Sequence, residues 1–381
     1  MKKKKPFSVN KRPWHRQFIK TIVILCNIFV ALGMLLGGLS LWVNPDLLSY
    51  LSCFGLVFPV FLLLNVAFIL FWICMRDSWC LFSLSVVLLL WVPVGNTVAM
   101  NKKNTVPQNN PALSIMSYNT MACAQFARHT EAKPNKVLQY IVQENPDVVC
   151  LQEFGVAKNQ PDLLIAEVKK ALADYKYSHI EYTINTKRKS VGVATFSKFP
   201  IIKKNNLKID SRFNSAIASD IVFHGDTIRV LNCHLESNKL TENDVQMQSD
   251  LVRNFDSKRA GIYAGFITKK LTEAYHLRSK QARQVAESIR TSPHPVLVCG
   301  DFNDVPTSYT YHTIKSAKKL TDTFVEAGNG LGFTYQKNLM HVRIDYIMHD
   351  DYFCTAKCEV DKTKHSDHYP ISCQVYKKTK L

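Results

Sequence analysis

Apolar positions follow two different patterns along this chain, and the change comes near residue 100. Before it, three long apolar runs succeed one another: about 21–43 ("TIVILCNIFVALGMLLGGLSLWV"), about 47–75 and about 79–98. Each reaches the roughly 20 residues that cross a bilayer as a helix. A cleaved leader carries one short apolar core rather than three in succession. Residues 1–100 are therefore predicted to be a membrane region of three transmembrane helices. Residues 101–111 are polar and hold two prolines, the signature of a linker.

From residue 112 to 381 the runs shorten to strand length. Strands are expected at 112–118, 147–151, 191–197, 216–223, 227–235, 295–300, 343–348 and 371–376. Helical patterns lie at about 134–143, 161–173 and 270–290. The last spaces Leu271, Ala274, Leu277, Ala282, Val285 and Ile289 along one face. Strands mixed with helices predict an α/β domain with layered sheets. Residues 236–268 are polar and charged, and read as an exposed loop or surface helix of the kind that sets substrate choice.

Charge adds orientation. Of 48 bases and 30 acids, nine and two fall in the first hundred residues, which leaves 39 and 28 beyond them. Eight of the nine early bases precede residue 21, and such an arm stays cytoplasmic. The turn near Asn44 to Asp46 carries no base, and Arg76 marks the next inner turn. Three crossings then place residues 112–381 outside the cytoplasm, in an inner or plasma membrane of bacterial type. A basic domain favours anionic partners. The stretches "TKRKS" (186–190) and "KFPIIKK" (198–204) suit lipid phosphate or a polynucleotide backbone alike. Nothing in the chain points to a protein partner. Seven cysteines lie beyond residue 100, several in strand-like runs where free Cys behaves as a small apolar group. Cys354 and Cys358 are spaced to allow a pair, but a domain this large needs no disulfide framework.

Candidate chemistry sits at the strand ends. "SIMSYNT" ends in Asn119, "DVVCLQEF" in Gln152 and Glu153, "VLNCHLES" in His234, and "VLVCGDFN" in Asp301 and Asn303. "RIDYIM" carries Asp345, and "KHSDHYPI" offers Asp367 and His368 before the last strand. One such residue is ordinary; six such ends in one domain are not. Asp301 and Asn303, two apart on an extended chain, are expected on the same face. Glu153 is a hard oxygen ligand of the kind Mg²⁺ or Mn²⁺ takes, and no thiolate cluster or HExxH favours zinc. A hard cation polarises a phosphorus–oxygen bond, and attack by water needs a base. Asp301 can serve as that base, Asn303 can donate to the transition state, and His234 and His368 can bind phosphate oxygens. Asp345 would hold the His368 tautomer.

In order, "SYN", "LQE", "NCHL", "GDFN", "RIDYI" and "SDHYPI" resemble the endonuclease/exonuclease/phosphatase family. The resemblance covers about residues 112–377. It implies a DNase I-like four-layer α/β/β/α sandwich and metal-dependent phosphoester hydrolysis at one edge of the two sheets. It implies Asn119, Glu153 and Asp367 around the metal, and His234, Asp301, Asn303, Asp345 and His368 as catalytic residues. Arg278, in "HLRSKQARQ", resembles a recurrent Arg-x-x-Gln helix and is a candidate for substrate binding. The expected protein is thus a membrane-anchored, Mg²⁺- or Mn²⁺-dependent phosphoester hydrolase: a phosphodiesterase, nuclease or sphingomyelinase-like enzyme. Its substrate would be a phospholipid headgroup, a nucleic acid or a small phosphodiester, and its other partner the bilayer. The alternative is an inactive membrane receptor of the same fold that binds an anionic ligand.

Overall fold

The computed structural model describes residues 14–101, 106, 110–211, 213–239, 241–254, 256–337 and 340–378. Five helices fill the apolar region: α1 (Trp14–Leu39), α2 (Pro45–Leu56), α3 (Phe58–Cys74), α4 (Trp79–Leu89) and α5 (Trp91–Thr97). Among the described residues, only α1 is by itself long and apolar enough to cross a membrane. The expected second and third spans are each broken. α2 and α3 meet at a 53° bend and α4 and α5 at a 73° bend, so each pair is at most one bent span. Pro59 beside the first break and Pro93 just past the second mark where a continuous helix would lose a backbone bond. α1, α3 and α4 pack around Ala31, Met34, Phe58, Leu62, Val86 and Leu90. Inside the bundle Asn27 accepts from Trp72 Nε1 at 2.9 Å and donates to Ser83 Oγ at 2.7 Å. Polar groups in an apolar bundle are satisfied by one another in this way.

The remainder folds around two six-stranded sheets. The strands are β1 (Ala99–Met100), β2 (Ala112–Asn119), β3 (Val148–Ala157), β4 (Tyr177–Asn185), β5 (Lys189–Ser197), β6 (Ile201–Leu207), β7 (Ser215–Phe223), β8 (Asp226–His234), β9 (Val296–Asp301), β10 (Thr321–Asp322), β11 (Asn329–Gly330), β12 (Tyr335–Lys337), β13 (Met340–Val342), β14 (Asp345–His349), β15 (Phe353–Val360) and β16 (Ile371–Lys377). The helices are α6 (Met121–Phe126), α7 (Lys136–Glu144), α8 (Ile165–Ala171), α9 (Glu242–Arg253), α10 (Ser257–Arg290), α11 (Tyr309–Ser316) and α12 (Thr323–Ala327). One sheet runs β15-β16-β2-β3-β5-β4 and the other β10-β14-β9-β8-β7-β6. β2 with β3 and β8 with β9 are parallel, and the other pairs within these sheets are antiparallel.

Three apolar layers hold the four-layer sandwich together. Ile115, Cys150, Val230, Leu297 and Ile347 fill the space between the sheets. Val285, Ile289 and Tyr311 press α10 and α11 onto the second sheet. Leu138, Ile141 and Val168 press α7 and α8 onto the first. The cysteines expected as small core groups, Cys150, Cys233, Cys299 and Cys373, are buried and free, and Cys354 and Cys358 are free as well.

All eight expected strands form. Three long ones were not legible. β4 and β6 are edge strands whose polar side chains break the apolar pattern, and β15 carries Lys357 and Glu359 among its apolar residues. The helix expected at 270–290 begins at Ser257, because its first half is a polar surface helix that burial does not pattern. Most of the expected linker lies outside the described residues. Its first residue is docked, with Asn101 Nδ2 donating to the Val325 and Gly328 carbonyls.

The apolar region is seated on the sandwich. Leu41 is fully buried in the layer under α10 and α11. Ser40 Oγ donates to the Thr307 carbonyl at 2.8 Å, and Thr307 Oγ1 donates to the Gly55 carbonyl at 2.8 Å. Asp46 pairs with Arg283 at 2.9 Å and His276 at 3.0 Å on α10.

Candidate active site

Strand polarity and register bring the chemistry to one end of the sandwich. β8 and β9 are parallel, so His234 and Asp301 finish side by side. β14 runs the other way, so its first residue, Asp345, lies opposite Asp301. Gly300 has φ +143°, and a Cβ there would meet the Cys233 carbonyl oxygen at 1.9 Å. Only glycine lets β9 lie this close to β8 immediately before Asp301. In the other sheet, Asn119 ends β2 beside Gln152 of β3.

Two site residues sit on left-handed backbone. Glu153 has φ +47° within a bulge of β3 between Leu151 and Phe154, which re-aims its carboxylate toward the cleft. Asn303 has φ +52°, and its N–H donates to Asp301 Oδ1 at 2.8 Å. Strand alternation is thus not why Asp301 and Asn303 face together; the chain turns at Phe302 and an Asx-type turn brings Asn303 back. Its Nδ2 donates to the Leu235 carbonyl at 3.0 Å. Such backbone outliers are held only where the surroundings over-determine them, and they concentrate at functional sites.

Asp301 is the hub. Its Oδ2 accepts from Asn119 Nδ2 at 3.0 Å and lies 3.8 Å from His234 Nε2 and 3.7 Å from His368 Nε2. Glu153 Oε1 lies 3.3 Å from the same Asn119 nitrogen and 3.9 Å from His234 Nε2. Asp345 Oδ2 accepts from His368 Nδ1 at 2.9 Å. Burial would lower the His368 pKa, but the carboxylates of Asp345 and Asp301 outweigh it and push it up to about 10. Burial, reinforced by the charge of Asp345, pushes Asp301 above the usual carboxylate range against the pull of both imidazoles.

A cleft of about 220 Å³ opens over this cluster. Glu153, Asp301, Asn303, Asp367 and His368 line it, together with Tyr335, Met340, Val342, Ile344 and Leu56. Asp301, Asp345 and His368 are close enough to share an ion, their ligand atoms lying within 4.8 Å of one another. Within that trio Asp345 Oδ2 already accepts from His368 Nδ1 at 2.9 Å, and the more open donors lie elsewhere on the cleft. Glu153 is the better donor. Its side chain is 40% exposed, whereas those of Asp301 and Asp345 are each 1% exposed. Asp367 lines the same cleft and offers a second hard oxygen donor. The donor set therefore fits a hard divalent cation.

Two expected residues are placed differently from their assigned contacts. Asn119 turns its nitrogen to the carboxylates, and its oxygen accepts from the Met121 N–H at 3.2 Å, so it orients Glu153 and Asp301. Arg278, expected at the substrate, is wholly buried behind the wall. It pairs with Asp304 at 3.2 Å and donates to the Glu236 carbonyl and Asn238 Oδ1, each at 2.8 Å.

Asn232, Thr334, Tyr335 and Leu56 contribute without having stood out in the sequence, and Gln152 stood out only as a strand end. Gln152 Nε2 donates to Asn232 Oδ1 at 2.7 Å, and Asn232 donates to the Leu151 and Ala194 carbonyls. This bridge ties the two sheets directly beneath Glu153 and His234. Asn232 opens the "NCHL" motif, which was its only signal. Thr334 Oγ1 accepts from the Ile344 and Asp345 N–H groups, and the Tyr335 ring packs edge-on against His368 at 4.9 Å. "FTY" offers no pattern that would mark these two. Leu56 comes from the apolar region and could not be placed at the site without tertiary structure.

Two packed mixed sheets between helical layers, with acidic, amide and imidazole groups gathered at one edge, define the DNase I-like class of α/β fold. The chain belongs to the Endonuclease/Exonuclease/phosphatase family, whose model matches residues 116–368. A second model, described as a domain of unknown function, matches residues 20–97. The structure of an endonuclease/exonuclease/phosphatase from Beutenbergia cavernae superposes with a TM-score of 0.50 at 18% identity, covering 70% of this chain and 72% of that one. Human protein angel homolog 2 is 27% identical over 255 residues, 58% of this chain and 41% of the relative. The CCR4-Not complex 3'-5'-exoribonuclease subunit Ccr4 of Schizosaccharomyces pombe is 24% identical over 269 residues, 58% of this chain and 37% of the relative. The chain thus spans about two-fifths of the length of these curated relatives.

Proposed function

We propose that the protein is a membrane-anchored, divalent-cation-dependent phosphoester hydrolase. The observation that carries this reading is the convergence on Asp301 Oδ2 of Asn119, His234 and His368 within 3.8 Å, with Glu153 3.3 Å from the same Asn119 nitrogen. Glu153 and Asp367 would hold Mg²⁺ or Mn²⁺, and such an ion would supply neutralisation of phosphate charge and polarisation of the phosphorus–oxygen bond.

The side chains divide the remaining work. Asp301 orients a water molecule and takes its proton, and a carboxyl pushed upward by burial is the stronger base. The water oxygen bonds to phosphorus, and the bond from phosphorus to the leaving alcohol breaks. Asp301 sheds its proton to solvent while the leaving alkoxide takes one up. His368, kept protonated by Asp345, and Asn303 and His234 donate to the non-bridging oxygens as negative charge builds there. Arg278 acts at one remove, by holding Asp304 and the 236–238 segment behind the cleft.

α1 and the two bent helix pairs anchor the chain as three spans, with the N-terminal arm cytoplasmic and the sandwich outside. The test uses the full chain in detergent with Mg²⁺ or Mn²⁺, with and without EDTA, on soluble aryl phosphodiesters, plasmid DNA, RNA and sphingomyelin. RNA belongs in the panel because the fission-yeast relative is named as an exoribonuclease. Cleavage that EDTA and Asp301→Ala both abolish is the expected result. Cleavage of nothing, or a rate that Asp301→Ala leaves intact, would favour the ligand-binding receptor.

A further inference from the structure

We infer that the amino-terminal half of α10 is a bilayer-contacting arm, and that the cleft beside it takes a phosphoester carried in the membrane rather than one free in water. This rests on the hydrolase reading and on the apolar helices spanning the bilayer. Three observations carry it.

The cleft lies where the chain enters the apolar bundle. Leu56, the last residue of α2, lines it together with Tyr275 and Val305. Two residues beyond Val305, Thr307 is bonded through its carbonyl to Ser40 and through its hydroxyl to the Gly55 carbonyl. The reacting groups therefore sit directly against the domain-facing end of the bundle.

Helix direction then places the arm. Asp46, at the start of α2, meets His276, Ser279 and Arg283, a stretch centred one turn beyond Tyr275, with which Leu56 at the end of α2 shares the cleft wall. α2 and α10 therefore run antiparallel. α2 passes into α3 through a bend of 53°, so its direction keeps a component toward the membrane along α3. Followed backward from Tyr275, α10 descends the same way. Its residues 257–270 make more than three further turns, about 20 Å along the helix axis, beyond the cleft and obliquely toward the bilayer surface.

The descending segment has the surface of an interfacial helix. Ile262 is 75% exposed and Phe266 47% exposed, one turn apart on the same face. Lys258 and Arg259 precede this pair and Lys269 follows it. An apolar centre flanked by bases matches the acyl boundary below an anionic headgroup layer. A polynucleotide backbone would find no use for this apolar pair; a lipid in the adjoining leaflet meets it on its way to Asp301.

The experiment uses the full chain reconstituted in vesicles of phosphatidylethanolamine and phosphatidylglycerol. Two substrates share one reacting group: hexadecyl p-nitrophenyl phosphate in the vesicle, and methyl p-nitrophenyl phosphate in solution. The expected result is a kcat/KM for the hexadecyl ester at least about tenfold above that for the methyl ester, a ratio that Ile262→Gln/Phe266→Gln reduces by about tenfold. A benzoylphenylalanine photo-cross-linker at position 262 is expected to capture lipid. Equal rates on the two esters, a ratio the double variant leaves in place, or no lipid adduct at 262 overturns the inference while leaving the hydrolase reading intact. Hydrolysis of neither ester overturns the hydrolase reading instead.

Discussion

The carboxylate of Asp345 accepts from Nδ1 of His368 at 2.9 Å, and the far nitrogen of that imidazole points toward Asp301 Oδ2, 3.7 Å away. The ring is thus fixed at one end by a buried acid and aimed at the other toward the reacting groups. Asp345→Asn keeps the shape and removes the charge that holds the imidazole protonated. The expected outcome is a fall in kcat on the order of 10²–10³-fold, with KM little changed, because the lost interaction is strongest in the transition state. Steady-state kinetics on a soluble aryl phosphodiester check it. A variant that loses KM instead would place His368 in ground-state binding.

Glu153 is held in a left-handed bulge and aimed at the cleft. Glu153→Gln preserves that shape but exchanges a carboxylate for a neutral amide, a poorer partner for a hard cation. The Mg²⁺ concentration for half-maximal rate should rise by about 10–100-fold. A metal titration of initial rate reads this directly, and an unmoved midpoint would assign the cation to other ligands.

What could be read beforehand follows from where each residue gets its reason to exist. Asp301 and His234 stand out in sequence because each is a chemically capable residue at the end of an apolar strand, Glu153 because it breaks into one, and His368 because it precedes one. Burial sets the strand pattern, so the break in it is visible. The eight strands found in advance are those with apolar side chains on both faces or one clean face. β4 and β6 are edges with mixed exposure, and nothing periodic marks them. Asn232 and Thr334 matter because of partners 80 and 11 residues away, respectively. No local pattern encodes such a pairing. The turn that brings Asn303 beside Asp301 was expected on the correct face but for the wrong reason: the residue sits on left-handed backbone rather than on an extended strand. Leu56 shows the sharpest limit. Its own sequence context reports only an apolar helix, while its place in the cleft depends on how that helix packs against α10.

Arg278 is fully buried, and Asp304 beside it is nearly so, which makes their pair costly to break on one side only. Arg278→Met would strand the Asp304 carboxylate in a site where burial already pushes its pKa upward and the guanidinium opposes that push. The variant is expected to lose about 3–5 kcal/mol of stability, and Arg278→Met/Asp304→Leu should recover part of that loss. Urea unfolding of the full chain in detergent measures both. A single variant as stable as the parent would show that the pair carries no structural weight.

His179 supplies the pH test, away from the cleft. It lies on β4 of the first sheet, its Nδ1 2.9 Å from Ser219 Oγ on β7 and its Nε2 2.9 Å from Asn206 Oδ1 on β6, so it ties the first sheet to the second. Burial holds its imidazole below the ordinary value, with the Asn206 bond opposing and the charge of Lys204 adding to the depression. The sign follows from which state binds the proton first. As pH falls, the unfolded chain protonates at the ordinary value while the folded chain still resists, so the unfolded state gains protons and stability drops. The contribution of neutral His179 is therefore fully present above about pH 6.5 and is lost as pH falls toward and through the folded pKa, at no more than about 1.4 kcal/mol per pH unit. His312 and His365 are depressed in the same direction, so the wild-type slope alone does not isolate this residue. The difference between wild type and His179→Gln does. Unfolding free energies between about pH 5 and 8 should converge at the acid end and separate toward neutrality. Parallel curves for the two proteins would mean that His179 titrates alike in both states.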